Sequence, residues 1–340
     1  MRASVIVPVQ NGAILLPGCL KALRAQTDRD FEILVADDRS TDGSVRVAET
    51  FASLHPNLSL RVIRAGRPGP GAARNVAAKE AAGEWLAFTD ADCLPAPTWL
   101  ARLRAGETGP EVAAVAGRTM GAPGSLVARF LGLFTLRGEA EGGLHSRYTL
   151  LAGGFPTANL AVRRSAFETV GGFEEEMRTG EDHDLCRRLY AEGLTVRYHP
   201  AAVVLHRHRE TVGGMLRQAL GIGGGHAHLL RRHRAAVVVE LPGVERYGEV
   251  AGLRCWLNLA SADKKALALL LLAAAWLPLG GLLPAYYAFL TADIARRLRK
   301  EGKDWTLKEA TAMAGLHLLR SAALTAGRWR GSFRHRVLCV

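Results

Sequence analysis

The chain reads as an α/β protein, a mostly parallel sheet flanked by helices, with a C-terminal helical segment that associates with a membrane. Three features predict this. Over residues 1–90 short β-rich runs alternate with helix-period segments, the pattern of a parallel sheet with right-handed crossovers. The conspicuous polar clusters fall where those strands end, and ligands of such sheets bind beyond the strand C-termini. Near the other end, Ala266 to Leu290 carries no charge and is long enough to cross a bilayer.

Each element has its own signal. SVIVPV (residues 4–9), FEILVAD (31–37), LSLRVIR (58–64) and EWLAFTD (84–90) are rich in β-branched and aromatic residues and predict strands. Between them, residues 14–26, 44–54 and 72–82 recur with helical period. The pattern is less regular over 112–210: strands are expected at VAAVAG, ANLAVR, TVRYHP and AVVLH, and a helix at EDHDLCRRLYAEG. Residues 211–233 predict a helix weakened by its glycines, 235–262 a loop, and 304–327 an amphipathic helix. The expected organisation is a catalytic domain over 1–210, a basic helix and linker over 211–262, and a membrane-associated helical region over 263–340.

Composition narrows the function. The 340 residues are 49% hydrophobic and 22% charged, enough for one large core with an appendage, and no internal repeat points to a solenoid or propeller. Five scattered cysteines without a C-x-x-C pair argue for a reducing compartment and against structural zinc. The opening MRASVIVPV has too short an apolar run for a signal peptide, so the N-terminal part is expected to stay cytoplasmic. The net charge of +12 suits anionic lipid or phosphorylated substrates; without aromatic interleaving or a nucleic-acid motif, nucleic acid is not an expected partner.

Four clusters carry candidate chemistry, each with a plainer alternative. Asp90 and Asp92 stand at i and i+2, so in an extended segment both carboxylates face one side; they suit a divalent cation on a nucleotide diphosphate, or an Asx turn closing a strand. Asp37 and Asp38 are acceptors for a uracil imide or a ribose hydroxyl, whereas Ser40, Thr41 or Asp42 would cap the next helix. GRPGPGAARN is a glycine-rich turn entering a helix, a setting for phosphate, with Arg74 one turn in, able to reach a diphosphate or simply solvated. Glu181 and Asp182 open a helix, where acidic residues are favoured electrostatically and where the same field keeps a general base ionised. In HRHR, His206 is a further metal-ligand candidate or a solvated surface residue.

In combination these segments resemble the family 2 glycosyltransferases. VIVPVQN looks like that family's opening strand, EILVADDRSTDGS like its D-D-G-S-T-D segment, GPGAARNVAAKEAAGEWLAFTDAD like the approach to D-x-D, and GGFPTANLAVRRSAFETVGGFEEEMRTGEDHDLCRRL like the acceptor-side loop with its E-D motif. The resemblance covers about residues 3 to 210 and implies the GT-A type of fold, Rossmann-like and mostly parallel. It implies that Pro8, Asp37 and Asp38 border the nucleoside, Asp90 the ribose and diphosphate, and Asp92 the metal, with Arg74 on the donor side, His206 a further ligand, and Asp182, beside Glu181, the base. Gln10 stands where the family often has tyrosine, and Arg39 where it usually has glycine. No Q-x-x-R-W segment of processive synthases is present, which favours a single-addition enzyme.

The implied activity is metal-dependent, inverting transfer of a sugar from a nucleotide sugar, a UDP-sugar, to the hydroxyl of a lipid-linked or cell-envelope glycan acceptor, with Mg²⁺ or Mn²⁺. Asp182 would take the acceptor proton while metal and arginine stabilise the departing diphosphate. A sugar nucleotidyltransferase is the alternative enzyme, although PVQNGA lacks a G-x-G-T-R-like loop; a non-catalytic membrane scaffold is the third reading. Pro278, Gly280, Gly281 and Pro284 interrupt residues 266–290, and lysines and arginines flank both ends. A hairpin held at the cytoplasmic face of the cell membrane is therefore expected, with a kinked single span the alternative.

Overall fold

The computed structural model describes residues 3–135, 141–148, 154–232, 236–241, 244–248, 253–275, 281–302 and 304–340. They fall into two units, Met1–Ala122 with Leu136–Arg207, and Pro123–Thr135 with His208–Val340.

The first unit follows the alternation of its strands and helices: β1 (Ala3–Val9), α1 (Leu16–Arg24), β2 (Phe31–Asp37), α2 (Ser44–Leu54), β3 (Leu60–Arg64), α3 (Pro70–Glu80), β4 (Trp85–Phe88), β5 (Cys93–Pro95), α4 (Trp99–Ala105) and β6 (Val112–Gly121). After α5 (Leu126–Phe134), which belongs to the second unit, come β7 (Gly143–His145), a 3₁₀ turn at Thr157–Asn159, β8 (Leu160–Arg163), α6 (Arg164–Thr169), α7 (Glu181–Ala191) and β9 (Thr195–His206). The sheet runs β3-β2-β1-β4-β8-β6-β9-β5, with β7 on β9. Its β3-β2-β1-β4 half is parallel, whereas β8 is antiparallel to both β4 and β6. Successive side chains of a strand point to opposite faces, and along β1 both sets are buried. Val5, Val7 and Val9 enter one apolar cluster with Leu16, Leu20 and Trp99; Ile6 enters the other with Leu34, Phe88 and Leu185. Helices on both faces explain why these strands are almost uninterrupted runs of apolar residues.

Pro8 is tolerated inside β1 because β4 ends at Phe88, opposite Ile6, leaving no ladder bond for the missing N–H to break. TVRYHP and AVVLH form one strand, β9, not two. Its pairing with β6 shifts register between Gly117 and Arg118, absorbing the extra residues as a bulge. A side chain at Gly117 would lie 2.2 Å from the Ala202 carbonyl oxygen. Buried Asn159 completes the repair, donating to the carbonyls of Arg118 (3.0 Å) and Ala202 (2.9 Å) and accepting from Trp99 Nε1 (2.8 Å).

The second unit contains α5, α8 (Val212–Arg232), β10 (Ala236–Leu241), β11 (Val244–Gly248), β12 (Arg254–Asn258), α9 (Ala262–Ala275), α10 (Leu282–Lys300), α11 (Leu307–His335) and β13 (Leu338–Cys339). The expected loop over 235–262 thus holds three strands of a small sheet ordered β11-β10-β12-β13. β10 pairs with β11 as a hairpin, whereas β12 lies parallel to β10 and pairs also with β13 near the C-terminus, and that last pairing leaves no local period in the sequence. Phe130, Met215, Ile294, Leu298 and Met313 form the unit's apolar core. Thr306 and Glu309 close a capping box at the start of α11, and Arg129 reaches Glu309 at 2.6 Å.

The expected uncharged membrane segment divides between the end of α9 and the start of α10; 276–280, with Pro278 and Gly280, lie outside the described residues, as does Lys303. Among the described residues no helix is long and apolar enough to cross a membrane.

Glycine in α8 has a packing reason. A β-carbon at Gly223 would sit 2.2 Å from the Leu324 carbonyl oxygen of α11, and one at Gly327 2.3 Å from that of Leu220, so the two backbones meet directly. At Gly224 the nearest atom would be 3.9 Å away. Gly223→Ala and Gly327→Ala should each destabilise the second unit by about 1–3 kcal/mol through overpacking, while Gly224→Ala, gaining helix propensity, should be neutral or stabilising by up to about 1 kcal/mol. Urea unfolding followed by Trp256 and Trp329 fluorescence measures this; equal effects at all three positions would refute the contact.

Candidate active site

Two loops at the strand ends are joined atom by atom. Leaving β1, the Asn11 N–H donates to Ser40 Oγ (3.0 Å), the Gly12 N–H to Ser44 Oγ (2.9 Å), and the Ala13 N–H to Asp42 Oδ2 (2.9 Å). In return Thr41 N–H donates to Asn11 Oδ1 at 2.8 Å. Ser40, Thr41 and Asp42 therefore stitch the loops; the N-cap position of α2 is Gly43 in a left-handed conformation (φ 87°), and of the three only Asp42 also serves the helix start, its Oδ1 accepting the Ser44 N–H at 3.1 Å. Arg39 is also left-handed at φ 59°. An L-residue pays about 1–2 kcal/mol there, which is why glycine is the usual occupant in the family it resembles. Gln10 donates to the Asp38 carbonyl at 3.2 Å.

Asp37 ends β2 and Asp38 follows it; both are buried. Asp37 Oδ1 accepts from the Ser40 N–H at 3.2 Å. Asp38 Oδ2 accepts from the Gly69 N–H at 3.0 Å, a bond made possible by a φ of 128° at Gly69, open to glycine and rarely to other residues. Asp38 Oδ1 is buried without a hydrogen-bond partner. Pro8, half-buried in β1, aligns with Ala36, placing it beside this pair in the sheet.

Arg74 occupies the centre. Only 3% exposed, it donates through Nη2 to Asp90 Oδ1 (2.7 Å) and through Nη1 to Glu181 Oε1 (2.8 Å). One guanidinium thus joins the segment after β4 to the start of α7. The next residue, Asn75, makes a reciprocal pair with the Phe173 backbone, both bonds 2.8 Å, fixing the loop that leads into α7. Burial alone would weaken the Arg74 cation, but Asp90 and Glu181 outweigh it and raise its pKa. For Glu181, burial first and Asp182 second push the carboxyl up to about 7, against the pull of Arg74. Asp182 is more open, with Oδ1 accepting the His183 N–H at 2.8 Å.

The other end of D-x-D meets β9. Antiparallel pairing sets Cys93 opposite His206, and His206 Nε2 lies 3.4 Å from Asp92 Oδ1. These residues, 114 positions apart, form with Cys93 a set whose donor atoms lie within 4.8 Å of one another. The structure therefore gathers the predicted residues into three groups: Pro8, Asp37 and Asp38; Arg74, Asp90 and Glu181 with Asp182 adjacent; and Asp92 with His206. Sequence reasoning did not single out Asp38's donor Gly69, the bridge from Arg74 to both carboxylates, Asn75, or Asp184. Asp184 is fully buried on Arg188 (2.8 Å) and Arg187 (3.2 Å) and anchors α7. For Asp184 the i, i+3 and i+4 spacing to two arginines was the available signal; the rest are tertiary contacts.

The family model described as Glycosyl transferase family 2 matches residues 4–171. A pre-mycofactocin glycosyltransferase of Mycobacterium tuberculosis is 32% identical over 237 residues, 68% of this chain and 48% of that protein, so the chain spans about half of that relative's length. Glycosyltransferase AglE of Haloferax volcanii is 30% identical over 227 residues, 65% of this chain and 72% of that one. Among solved structures, mannosyltransferase PcManGT from Pyrobaculum calidifontis, in complex with GDP-Man and Mn²⁺, matches with a TM-score of 0.62 at 23% identity, over 94% of this chain and 86% of that one. That likeness is one of fold, GT-A-like.

The buried acid has a pH signature. Glu181 holds its proton up to about 7 when folded, against 4.5 for an unperturbed carboxyl. The folded state therefore carries the extra proton between those values, and stability owed to this group is full below the lower value and lost as pH rises through the upper. The unfolding free energy of wild type, measured against Glu181→Gln, should decline across that window and level off above it. A difference that stays flat with pH would mean that Glu181 ionises as a solvated carboxylate does.

Proposed function

The chain belongs to glycosyl transferase family 2, and on that premise we propose that it moves a sugar from a nucleoside diphosphate to an acceptor hydroxyl with inversion at the anomeric carbon. The observation that carries this is the buried Arg74, bonded at once to Asp90 of D-x-D and to Glu181 beside Asp182. It brings the donor-side carboxylate and the acidic helix start to one guanidinium, which is what a displacement between donor and acceptor needs.

Each residue then has a task. The unpartnered Asp38 Oδ1 lacks a donor that a uracil imide N–H would supply, which supports a UDP-sugar; Asp37 and Pro8 border the same base. Asp90 faces ribose and diphosphate, with Arg74 behind it. Asp92 and His206 present one carboxylate oxygen and one imidazole nitrogen 3.4 Å apart, a donor pair that fits Mg²⁺ or Mn²⁺ completed by phosphate oxygens and water. When bound, such a cation offsets the charge of the diphosphate. Asp182 accepts the acceptor's hydroxyl proton as that oxygen attacks the anomeric carbon. Glu181, buried and bonded to Arg74 at 2.8 Å, holds that end of the helix in place. A nucleotidyltransferase would use the same donor pocket but release pyrophosphate.

Membrane association is the second part of the proposal. Leu267, Leu270, Leu271 and Leu272 of α9 and Phe289 of α10 are exposed. On α11, Trp329 and Phe333, the latter 87% exposed, border an open groove of about 940 Å³ with Arg254 and Arg336. Apolar side chains ringed by arginines suit anionic headgroups at the cytoplasmic face of the cell membrane. There the C-terminal region over 263–340, following the catalytic segment over 1–210 and the basic linker over 211–262, would tether the enzyme beside a lipid-linked or envelope glycan acceptor.

Asp182→Asn should lower sugar transfer by about two to four orders of magnitude while donor affinity stays near wild type, since the amide takes no proton. Product analysis with labelled nucleotide sugars reads both: retained turnover at saturating donor refutes the base, and labelled pyrophosphate exchange favours the nucleotidyltransferase. For the membrane, Trp329→Ser with Phe333→Ser should reduce sedimentation with phosphatidylglycerol vesicles and leave the weak binding to phosphatidylcholine unchanged. Equal binding of both proteins to the anionic vesicles would remove the groove from the membrane surface.

A further inference from the structure

Cys93 is the one member of the D-x-D neighbourhood to which the transfer reaction gives no task. Its side chain is fully buried, packed in the cluster that holds Leu16, Cys19 and Trp99. Core packing accounts for a small apolar residue there. The thiol also donates to Asp92 Oδ1 at 3.8 Å, the same oxygen that lies 3.4 Å from His206 Nε2, so one carboxylate oxygen holds the sulfur and the imidazole nitrogen together. Among the described residues this is the only trio of His, Cys, Asp or Glu donors within 4.8 Å of one another.

Those separations are informative. Tetrahedral zinc, with bonds of about 2.0 Å to oxygen, about 2.1 Å to nitrogen and about 2.3 Å to sulfur, holds its ligand atoms about 3.3 to 3.6 Å apart. The oxygen–nitrogen pair already matches, and the oxygen–sulfur pair is within a few tenths of an ångström. Mg²⁺ and Mn²⁺ are hard cations that favour oxygen and have no use for a thiolate, whereas a sulfur, nitrogen and oxygen set favours zinc over both.

We propose that Cys93 joins Asp92 and His206 in a three-ligand site that captures Zn²⁺ and thereby excludes the hard cation used in sugar transfer, making zinc an inhibitor of this enzyme. The inference rests on the assignment of Asp92 and His206 as cation ligands and adds the thiol to it. On capture the Cys93 S–H bond breaks, its proton goes to solvent, and the sulfur electron pair forms the bond to zinc; nothing is oxidised or reduced. Pairing of β5 with β9 makes the site local to one sheet edge, so it needs no rearrangement of the fold.

Cobalt(II) is the probe, because it occupies zinc sites and gives an intense near-ultraviolet charge-transfer band only with a thiolate ligand. The full-length protein titrated with Co²⁺ should develop that band, Zn²⁺ should abolish it by displacement, and it should be missing from Cys93→Ala and Cys93→Ser but present in Cys19→Ser. Zn²⁺ affinity should fall at least about tenfold in both Cys93 variants, while Mn²⁺ binding, followed by electron paramagnetic resonance, should persist and serve as the check that the variants are folded. A missing band in wild type, or one that survives loss of Cys93 or follows Cys19, overturns the inference even if neither variant folds, because the wild-type and Cys19→Ser spectra stand without them. The two levels separate cleanly: Mn²⁺ binding that ignores Asp92→Ala sinks the cation assignment itself, whereas Mn²⁺ binding that needs Asp92 without any cobalt–sulfur band sinks only the role of Cys93.

Discussion

The bond pair made by Arg74 is the constraint on which the site depends. A guanidinium taken out of water is stable only where carboxylates replace the lost solvation, and Arg74 has two, at 2.7 and 2.8 Å. Because Asp90 follows β4 and Glu181 starts α7, satisfying this one cation fixes the distance between the donor-side and acceptor-side elements. The Arg74 ring contact with Phe173, 5.6 Å to the centroid, and the Asn75 bonds to the Phe173 backbone hold the same loop from α3. Gly71 lets the two segments approach, since a side chain there would sit 3.0 Å from the Glu174 carbonyl oxygen. Burial, and then Asp182, push the Glu181 carboxyl up to about 7 against the pull of Arg74, while Asp182 itself is less buried.

Around that centre the donor loops are built from backbone groups more than from side-chain charge. Gly69 and Asp38, Asn11 and Thr41, Ala13 and Asp42 are each joined by one hydrogen bond between a main-chain N–H and a side-chain oxygen. Such bonds pin turns that regular structure cannot pin, and they tolerate a left-handed arginine at position 39 because the cost is small beside the number of contacts that oppose its relief.

The second unit solves a different problem. Its α8 and α11 meet through glycine, and the space so saved brings polar groups into a shared interior. Arg328 stacks 4.9 Å from the Trp256 ring and donates to His226 Nδ1 at 3.1 Å, while Trp256 donates to Glu240 at 2.6 Å. Asp263 accepts from Ser321 Oγ at 2.6 Å, and burial lowers the pKa of neighbouring Lys264. These hydrogen bonds pair the charged and aromatic groups named, whereas leucines and aromatics of α9, α10 and α11 remain exposed.

The sequence by itself determined the order and kind of the elements over residues 3–90, because strand and helix periods are local, and it offered the candidate site residues, because polar clusters at strand ends are visible without a structure. The expected strand, helix, strand succession there matches β1 through β4 to within a few residues. It could not show that TVRYHP and AVVLH are one bulged strand, that 235–262 contributes to a sheet closed by residues 338–339, or that Ser40, Thr41 and Asp42 bond to the neighbouring loop after β1. Only the tertiary structure decided those points, and with them the meeting of Arg74 with Glu181 and of Asp92 with His206. The reason is physical: a period records which face of an element is buried, whereas a hydrogen bond between residues more than one hundred positions apart depends on sheet order and register, which leave no mark on the residues in between.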